Sequence, residues 1–190
     1  MSDLFDEIEQ CTICKDHLPL GPRPVLRGNA ASKIAIIGQA PGTKVHASGI
    51  PWDDQSGTNL RKWLDVAPEL FYDESIFAIV PMGFCYPGKG KSGDLPPRPE
   101  CAPKWHNDVF KEMPNIELTL LIGQYAQGYY LGDSKKHTLT ATVKSHLEYL
   151  PEFMVLPHPS PRNGIWMKKN EWFEEEVIPV LRGRVKDCLS

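Results

Sequence analysis

The sequence has no long apolar run and no large excess of charge of either sign. No stretch reaches the roughly 18 consecutive apolar residues that indicate a membrane-spanning helix, so we expect no membrane association. The formal net charge is -3, so any contact with nucleic acid must come from a local basic surface. The first residues, M-S-D-L-F-D-E-I-E, are acidic where a secretory signal is basic and then apolar, and we expect a cytoplasmic protein.

Cysteine is also scarce, and its spacing suggests ligands rather than disulfide bonds. Disulfide frameworks are rare in a reducing compartment, and the chain has five cysteines. Cys11 and Cys14 form a C-x-x-C pair, Cys85 and Cys101 follow later, and Cys188 lies near the tail. Four thiolates suit tetrahedral zinc or a four-cysteine iron–sulfur cluster. The alternative is that Cys85 and Cys101 are small buried or loop residues without a ligand.

Short apolar segments alternate with helical patterns along the chain. With 190 residues and 41% hydrophobic content, residues 1–190 are expected to form one globular domain. Buried strands are predicted at 34–37, 76–80, 116–122 and 153–156. Helices are predicted at 2–10, around 60–64, and at 104–111, 124–131 and 166–184, the last kinked or split by Pro179. This alternation predicts a three-layer α/β/α domain with a mainly parallel central sheet of about four strands.

The segment between the first strand and the following helix is predicted to be a long functional loop. Gly38, Pro41 and Gly42 exclude regular structure directly after the strand. Ligands bind beyond the carboxyl ends of strands in open α/β sheets, so this loop is the first candidate site. It runs to Gly57 and carries His46, Trp52, Asp53 and Asp54.

A second long loop, residues 81–103, is rich in proline and glycine. A loop of this length in a compact domain needs an external tie, which Cys85 and Cys101 would supply. It also carries Lys89, Lys91 and Arg98, which form either a local basic surface or a solvated cluster.

Three motifs resemble the signature regions of the uracil-DNA glycosylase superfamily. G-Q-A-P-G follows the first strand at 38–42, G-x-P-W-x-D-x-S-G follows at 49–57, and H-P-S-P-R-N follows the last strand at 158–163. The cysteine layout is similar to that of the superfamily's iron–sulfur families 4 and 5. The resemblance implies a uracil-DNA glycosylase-like fold and a 4Fe-4S cluster on Cys11, Cys14, Cys85 and Cys101, with zinc as the alternative.

The resemblance also implies a reaction. A DNA glycosylase hydrolyses the N-glycosidic bond of uracil or another deaminated base, which is flipped out of the DNA, during base-excision repair. By this resemblance, His158 faces the departing carbonyl oxygen and Trp52 stacks on the base. The base pocket would comprise Gly38, Ala40, Pro41, Gly42, Trp52 and Ser160. The DNA contacts would be Pro161, Arg162 and Asn163. For these motifs to act together, we expect the strands that end at Ile37 and Leu156 to be neighbours.

The motifs differ from family 4 at two positions. Family 4 proteins carry a catalytic Glu where this chain has Gln39, which cannot take a proton or hold negative charge. Family 5 proteins lack that carboxylate, and their T-G-D-x-S-G pattern matches residues 52–57, which gives Asp54 the catalytic position and makes Asp53 the alternative. The uracil-reading Asn of the family corresponds to Pro81 or Met82, neither of which offers an amide side chain.

Two functions follow from these features. The first is a monomeric DNA glycosylase of family 5 character, with Asp54, His158 and Gln39 as its catalytic residues. The second is a weakly active or inactive nucleic-acid-binding relative that keeps the fold and the cysteine site. Gln39 and the missing Asn favour the second function, whereas Asp54 and the intact H-P-S-P favour the first.

Overall fold

The structure, a computed structural model, describes residues 3–190. Its strands are β1 (Ile34–Ile37), β2 (Phe77–Ile79), β3 (Lys89–Gly90), β4 (Gly93–Asp94), β5 (Leu118–Ile122) and β6 (Phe153–Leu156). Within the described residues, four parallel strands form the central sheet in the order β2-β1-β5-β6, and β3 pairs with β4 in a separate antiparallel hairpin. The predicted parallel sheet is therefore confirmed, although β2 and β5 are each two residues shorter than their predicted segments.

The described α-helices surround the sheet. They are α1 (Asp3–Glu9), α2 (Thr43–Ser48), α3 (Gln55–Leu64), α4 (Pro68–Phe71), α5 (Cys101–Lys111), α6 (Gly123–Leu131), α7 (Leu139–Lys144), α8 (Gly164–Lys169) and α9 (Ile178–Leu189). Single helical turns lie at Lys15–His17, Gly132–Ser134, His146–Tyr149 and Pro161–Asn163, and a π-helix spans Phe173–Val177. No helix among residues 3–190 is long and apolar enough to cross a membrane.

Side chains point alternately to the two faces of the sheet along each strand, and helices pack on both faces. Ile34 and Ile36 pack in a core cluster with residues of α3 and α9, including Leu60 and Leu181. On the other face, Ile37 lies in a cluster with Ala126 of α6. Next to it, Ala78 and Val80 pack against α1 and α5 through Ile8, Trp105 and Val109. This is the predicted three-layer α/β/α architecture.

Two helix predictions need correction. The predicted loop 38–57 contains α2, which begins after Gly42 and ends at Gly49, whose φ of 72° suits glycine. The predicted helix 166–184 is interrupted between α8 and the π-helix, where Asn170 adopts non-helical dihedrals. Pro179 lies in the first turn of α9, directly after the π-helix, where a missing N–H is tolerated. At the N-terminus, Ser2 of the predicted helix 2–10 lies outside the described residues.

The predicted adjacency of the strands ending at Ile37 and Leu156 is wrong, because β5 lies between β1 and β6. The chain that follows β6 nevertheless crosses the end of β5 towards β1. Gly123, directly after β5, has a φ of 82°, and a Cβ added there would lie 3.9 Å from the His158 Cβ. His158 thus lies next to Gly123, which has no side chain.

Candidate active site

One cavity lies at the carboxyl ends of the central strands and gathers most of the predicted site residues. It is lined by Gly38, Gln39, Ala40, Pro41, Gly42, Trp52, Asp54 and His158, together with Val25, Val45, Pro51, Ile79 and Pro81. Pro81 is one of the two residues that the sequence placed at the position of the family's uracil-reading Asn. Val25, Val45, Pro51 and Ile79 were not foreseen from the sequence, because apolar lining residues look like any other core residue. Two separate loops therefore meet in one cleft, although a strand separates β1 from β6.

Trp52 occupies its place because two neighbouring residues are glycines. Its φ is 59°, in the left-handed region that non-glycine residues rarely adopt. A Cβ at Gly57 would lie 1.8 Å from the Trp52 carbonyl oxygen, and a Cβ at Gly38 would lie 2.8 Å from the Trp52 ring. The ring centre is 5.7 Å from that of His158, with 33° between the planes. A strained aromatic residue is thus held between two glycines beside the histidine.

Asp54 has a structural role as well as a place in the cleft. It is the N-cap of α3, and its Oδ1 accepts a hydrogen bond of 2.8 Å from the Gly57 N–H. The amino end of a helix also interacts favourably with negative charge. Its neighbour Asp53 is exposed and lies outside the cavity lining, so the geometry distinguishes the two carboxylates.

His158 is partly buried, and its backbone is held by two amide side chains. Burial lowers the pKa of His158, while the charge of Asp54 opposes this effect. The Asn163 side chain donates to the His158 carbonyl oxygen at 2.7 Å, and Asn59 of α3 donates to the Pro159 carbonyl oxygen at 2.8 Å. Asn163, which we predicted to contact DNA, therefore also stabilises the turn that carries the histidine.

The other residues of H-P-S-P-R-N, except Arg162, line a groove next to the cleft. Ser160, Pro161 and Asn163 line this groove, with Lys62 and Arg182 as its cationic members. The Ser160 Oγ accepts from the Arg162 N–H at 3.2 Å and caps the turn Pro161–Asn163. Ser160 is thus outside the set of residues that line the cleft itself, although we predicted it to contact the base.

The hairpin of β3 and β4 lies over the mouth of the cleft. The Gln39 Nε2 donates to the Leu95 carbonyl oxygen at 3.2 Å, and the Arg162 Nη1 donates to the Ser92 carbonyl oxygen at 3.0 Å. An Oδ of Asp94 is 3.4 Å from where a Cβ of Gly42 would stand. Partial burial raises the pKa of Asp94, the charges of Arg162 and Lys89 oppose this, and Asp54 adds to it. Asp94 was not identified from the sequence.

The wall that corresponds to the missing Asn is organised by a buried histidine. Pro81 lines the cleft, and its carbonyl oxygen accepts a hydrogen bond of 2.9 Å from the His106 Nε2. The Tyr130 hydroxyl lies 2.6 Å from the His106 Nδ1. Burial lowers the pKa of His106 to about 4, so this histidine is neutral at neutral pH. His106 was not identified from the sequence, because only the fold brings α5 and α6 to the end of β2.

The four predicted ligand cysteines line a second cavity. Cys11, Cys14, Cys85 and Cys101 surround it, together with Arg98 and Glu100. Glu100 forms an ion pair of 2.6 Å with Arg98 and accepts from the Cys14 thiol at 3.7 Å. Burial raises the pKa of Cys85 to about 11 and that of Cys101 to about 12, so both are thiols when no cation is bound. The chain thus brings cysteines from three segments to the lining of one cavity.

The chemistry of this donor set suits a thiolate-bound metal group, because all four cysteines line one cavity. Within residues 3–190, no three His, Cys, Asp or Glu side chains are grouped closely enough to hold a single metal ion. The identity of the bound group therefore stays a prediction.

Arg23 connects the cysteine cavity with the cleft. Burial raises the pKa of Cys85, and the backbone of Arg23 opposes this effect; the Arg23 guanidinium donates to the carbonyl oxygens of His46 and Ala47 at the end of α2. Since α2 follows the G-Q-A-P-G residues directly, the two sites share one connecting segment.

The fold and the cleft together define an α/β protein with a cavity at the carboxyl ends of parallel strands, where ligands bind in open α/β sheets. A family model described as "Uracil DNA glycosylase superfamily" matches residues 26–182. The chain belongs to the uracil DNA glycosylase superfamily, and membership supports a glycosylase-like function with DNA as the partner. The match includes the three motifs and two of the four cavity cysteines, Cys85 and Cys101.

Proposed function

We propose that this protein is a DNA glycosylase that hydrolyses the N-glycosidic bond of a deaminated base such as uracil. The observation that carries the proposal is the meeting of Asp54, His158 and Trp52 in one cleft at the carboxyl ends of the strands. The target base would leave the DNA stack and enter this cleft, since the bond is inaccessible inside a duplex.

The proposed chemistry uses a carboxylate and a neutral histidine. Breaking the bond develops positive charge on the sugar and negative charge on the departing base. Asp54 uses Oδ1 to accept the Gly57 N–H, which leaves Oδ2 to orient a water or stabilise the sugar cation. His158, kept neutral by burial, donates a hydrogen bond to the base oxygen on which charge develops. Trp52 supplies an aromatic face for the base.

Cys11, Cys14, Cys85 and Cys101 are proposed to hold a 4Fe-4S cluster, with zinc as the alternative. Such a group would supply cross-linking, because thiolate ligation joins the N-terminal segment to both ends of the loop that carries β3 and β4. The two ends of this loop are already joined by a hydrogen bond, which the Phe84 N–H donates to the Cys101 Sγ at 3.3 Å.

The second candidate function is binding of nucleic acid without hydrolysis. Two observations favour it. The capping of α3 explains the presence of Asp54 without any catalytic role. The Pro81 carbonyl oxygen already accepts a hydrogen bond from His106. A protein of this kind would keep the cleft as a binding site.

An excision assay distinguishes the two functions. Single- and double-stranded oligonucleotides that contain uracil, hypoxanthine or xanthine are incubated with the protein, and strand cleavage at the resulting abasic sites is measured after alkaline treatment. Release of at least one base by the wild type, lost in Asp54→Asn, supports the glycosylase. Binding of the same oligonucleotides with no release of any base supports the second function.

A further inference from the structure

The hairpin at the mouth of the cleft is not used by the mechanism above. We define the strap as residues 88–95, which contain β3 and β4. Its strands pair through Lys89 with Asp94 and through Gly90 with Gly93, and the Leu95 N–H closes it by donating to the Gly88 carbonyl oxygen at 2.8 Å. Isolated two-stranded hairpins are marginally stable in water, so the strap needs contacts with the body of the protein.

Two side chains connect the strap to the cleft, and each comes from one of the two signature loops. Gln39 of G-Q-A-P-G donates to the Leu95 carbonyl oxygen at 3.2 Å, and Arg162 of H-P-S-P-R-N donates to the Ser92 carbonyl oxygen at 3.0 Å. Both acceptors are backbone carbonyl groups, so only a donor side chain can take either place. A carboxylate at position 39 would accept only, and it would stand near the charges of Asp54 and Asp94.

The strap carries charge to the mouth of the cleft. Lys89 and Lys91 are exposed on it, and the exposed Arg162 adjoins it. The Arg162 guanidinium has five N–H donors, so it can bind the strap and a phosphate at the same time. Three cations around one opening match the phosphates on either side of a flipped nucleotide.

We infer that Gln39 is a positioning residue that holds the strap across the cleft, so that Lys89 and Lys91 meet the DNA backbone. The part of this inference that concerns DNA rests on the proposed function. The part that concerns the strap does not, because the hydrogen bond from Gln39 exists without DNA. This role also explains why the amide stands where family 4 has a carboxylate: the donor is needed here for the strap.

The first experiment measures the strap without DNA. Hydrogen exchange of the backbone amides of residues 88–95 is followed in the wild type, in Gln39→Glu and in Gln39→Leu. Gln124→Glu, at an exposed glutamine at the start of α6, controls for the change in charge. Loss of one hydrogen bond is expected to raise the exchange rate at Leu95 by about fivefold in both Gln39 variants and to leave the control unchanged.

Acid provides a second readout that a general loss of stability would not give. When the pH is lowered from 7 to about 4, the carboxyl of Gln39→Glu becomes protonated and can donate again. The exchange rate at Leu95 in Gln39→Glu, divided by the rate in Gln39→Leu at the same pH, should then fall. It should approach the rate of the wild type divided by that of Gln39→Leu. Unchanged exchange in both variants, or a Glu variant that follows the Leu variant at every pH, would overturn the positioning role.

The second experiment concerns DNA. In Gln39→Leu, kcat/KM for a uracil oligonucleotide should fall about three- to tenfold, with a larger change in KM than in kcat. A changed preference among uracil, hypoxanthine and xanthine, or a large loss of kcat, would mean that Gln39 contacts the base and would overturn the inference. If the wild type excises nothing, the proposed function fails, while the exchange result on the strap still decides the role of Gln39.

Discussion

The Trp52 carbonyl oxygen occupies the space that a side chain at position 57 would fill. A Cβ on Gly57 would lie 1.8 Å from that oxygen, far inside any permitted contact. Gly57 also donates its N–H to Asp54, so a single glycine holds together the carboxylate, the tryptophan and the first turn of α3. The glycine of the S-G pair is therefore required by the geometry of the backbone.

Gly57→Ala should lower the free energy of unfolding by roughly 1–3 kcal/mol, because the backbone of Trp52 must move to admit a methyl group. The matched control is Gly183→Ala in α9, where nothing lies within 4 Å of the added carbon. There alanine should be neutral or stabilising, since it is the better helix former. Urea denaturation of both variants measures the difference. Equal stability of the two would contradict the close approach of Trp52 to Gly57.

Asp54→Asn should lower the excision rate by about two to four orders of magnitude, because the amide cannot carry negative charge or accept a proton. Asparagine still caps a helix well, so the free energy of unfolding and the DNA affinity should change little. Single-turnover kinetics and fluorescence anisotropy measure the two effects separately. The control is Asp53→Asn at the exposed neighbour. Full activity in Asp54→Asn, or an equal loss in the control, would show that the carboxylate is misassigned.

His106 should make the protein less stable in mild acid. Its folded-state pKa is lowered from 6.5 to about 4, so below pH 6.5 the unfolded chain binds a proton that the folded protein does not. Its contribution is complete above about pH 6.5 and is lost as the pH falls to about 4, by up to about 3 kcal/mol. The nearest titratable partner is Tyr130, whose pKa is raised by burial, so it stays protonated over this range.

The test is urea denaturation between pH 7 and 4.5 for the wild type and His106→Gln. Glutamine keeps a donor for the Pro81 carbonyl oxygen without a group that titrates in this range, so stability at pH 7 should fall and its loss in acid should be smaller. His137→Gln at an exposed histidine should follow the wild type at every pH. Parallel curves for the wild type and His106→Gln would contradict a buried neutral histidine.

The cysteine cavity predicts a coloured protein with bound iron. After anaerobic purification we expect visible absorption and about four iron atoms per chain, as a 4Fe-4S cluster requires. Cys101→Ser should lose both the colour and the iron, and Cys188→Ser, at a buried cysteine outside the cavity, should keep them. Elemental analysis decides between the metals. A colourless protein with one zinc per chain would replace the cluster by zinc, and no metal at all would leave four free thiols.

The strands and most helices were predictable because their signals are local. Ile34–Ile37 is β-branched and apolar on both sides, and Leu60 and Leu64 repeat at helical spacing, so each pattern specifies its own structure. The short helix α2 lacks such a pattern, because within it Val45 alone is buried. The order of the strands depends on contacts distant in sequence, which no local pattern contains. The hairpin of β3 and β4 is itself local, but its two-residue strands are too short to show a strand pattern, and its contacts with Gln39 and Arg162 are distant in sequence.

The site was predictable as a set of residues and less so as an arrangement. The three motifs identified Asp54, Trp52 and His158, which the fold brings to one cleft. Motifs carry no information about which backbone groups are already bonded. The cap at Asp54, the bond from Asn163 to the His158 carbonyl oxygen and the placement of Ser160 in the adjoining groove all emerged from three-dimensional contacts.

Attachment of the strap at two points has a consequence for how substitutions combine. Gln39 and Arg162 are far apart in sequence but restrain the same hairpin. The effect of changing one therefore depends on whether the other is intact. Once either restraint is gone, the hairpin is partly free, and removing the second has less left to disturb. The two positions are therefore epistatic: their combined effect on the hairpin is smaller than the sum of their separate effects.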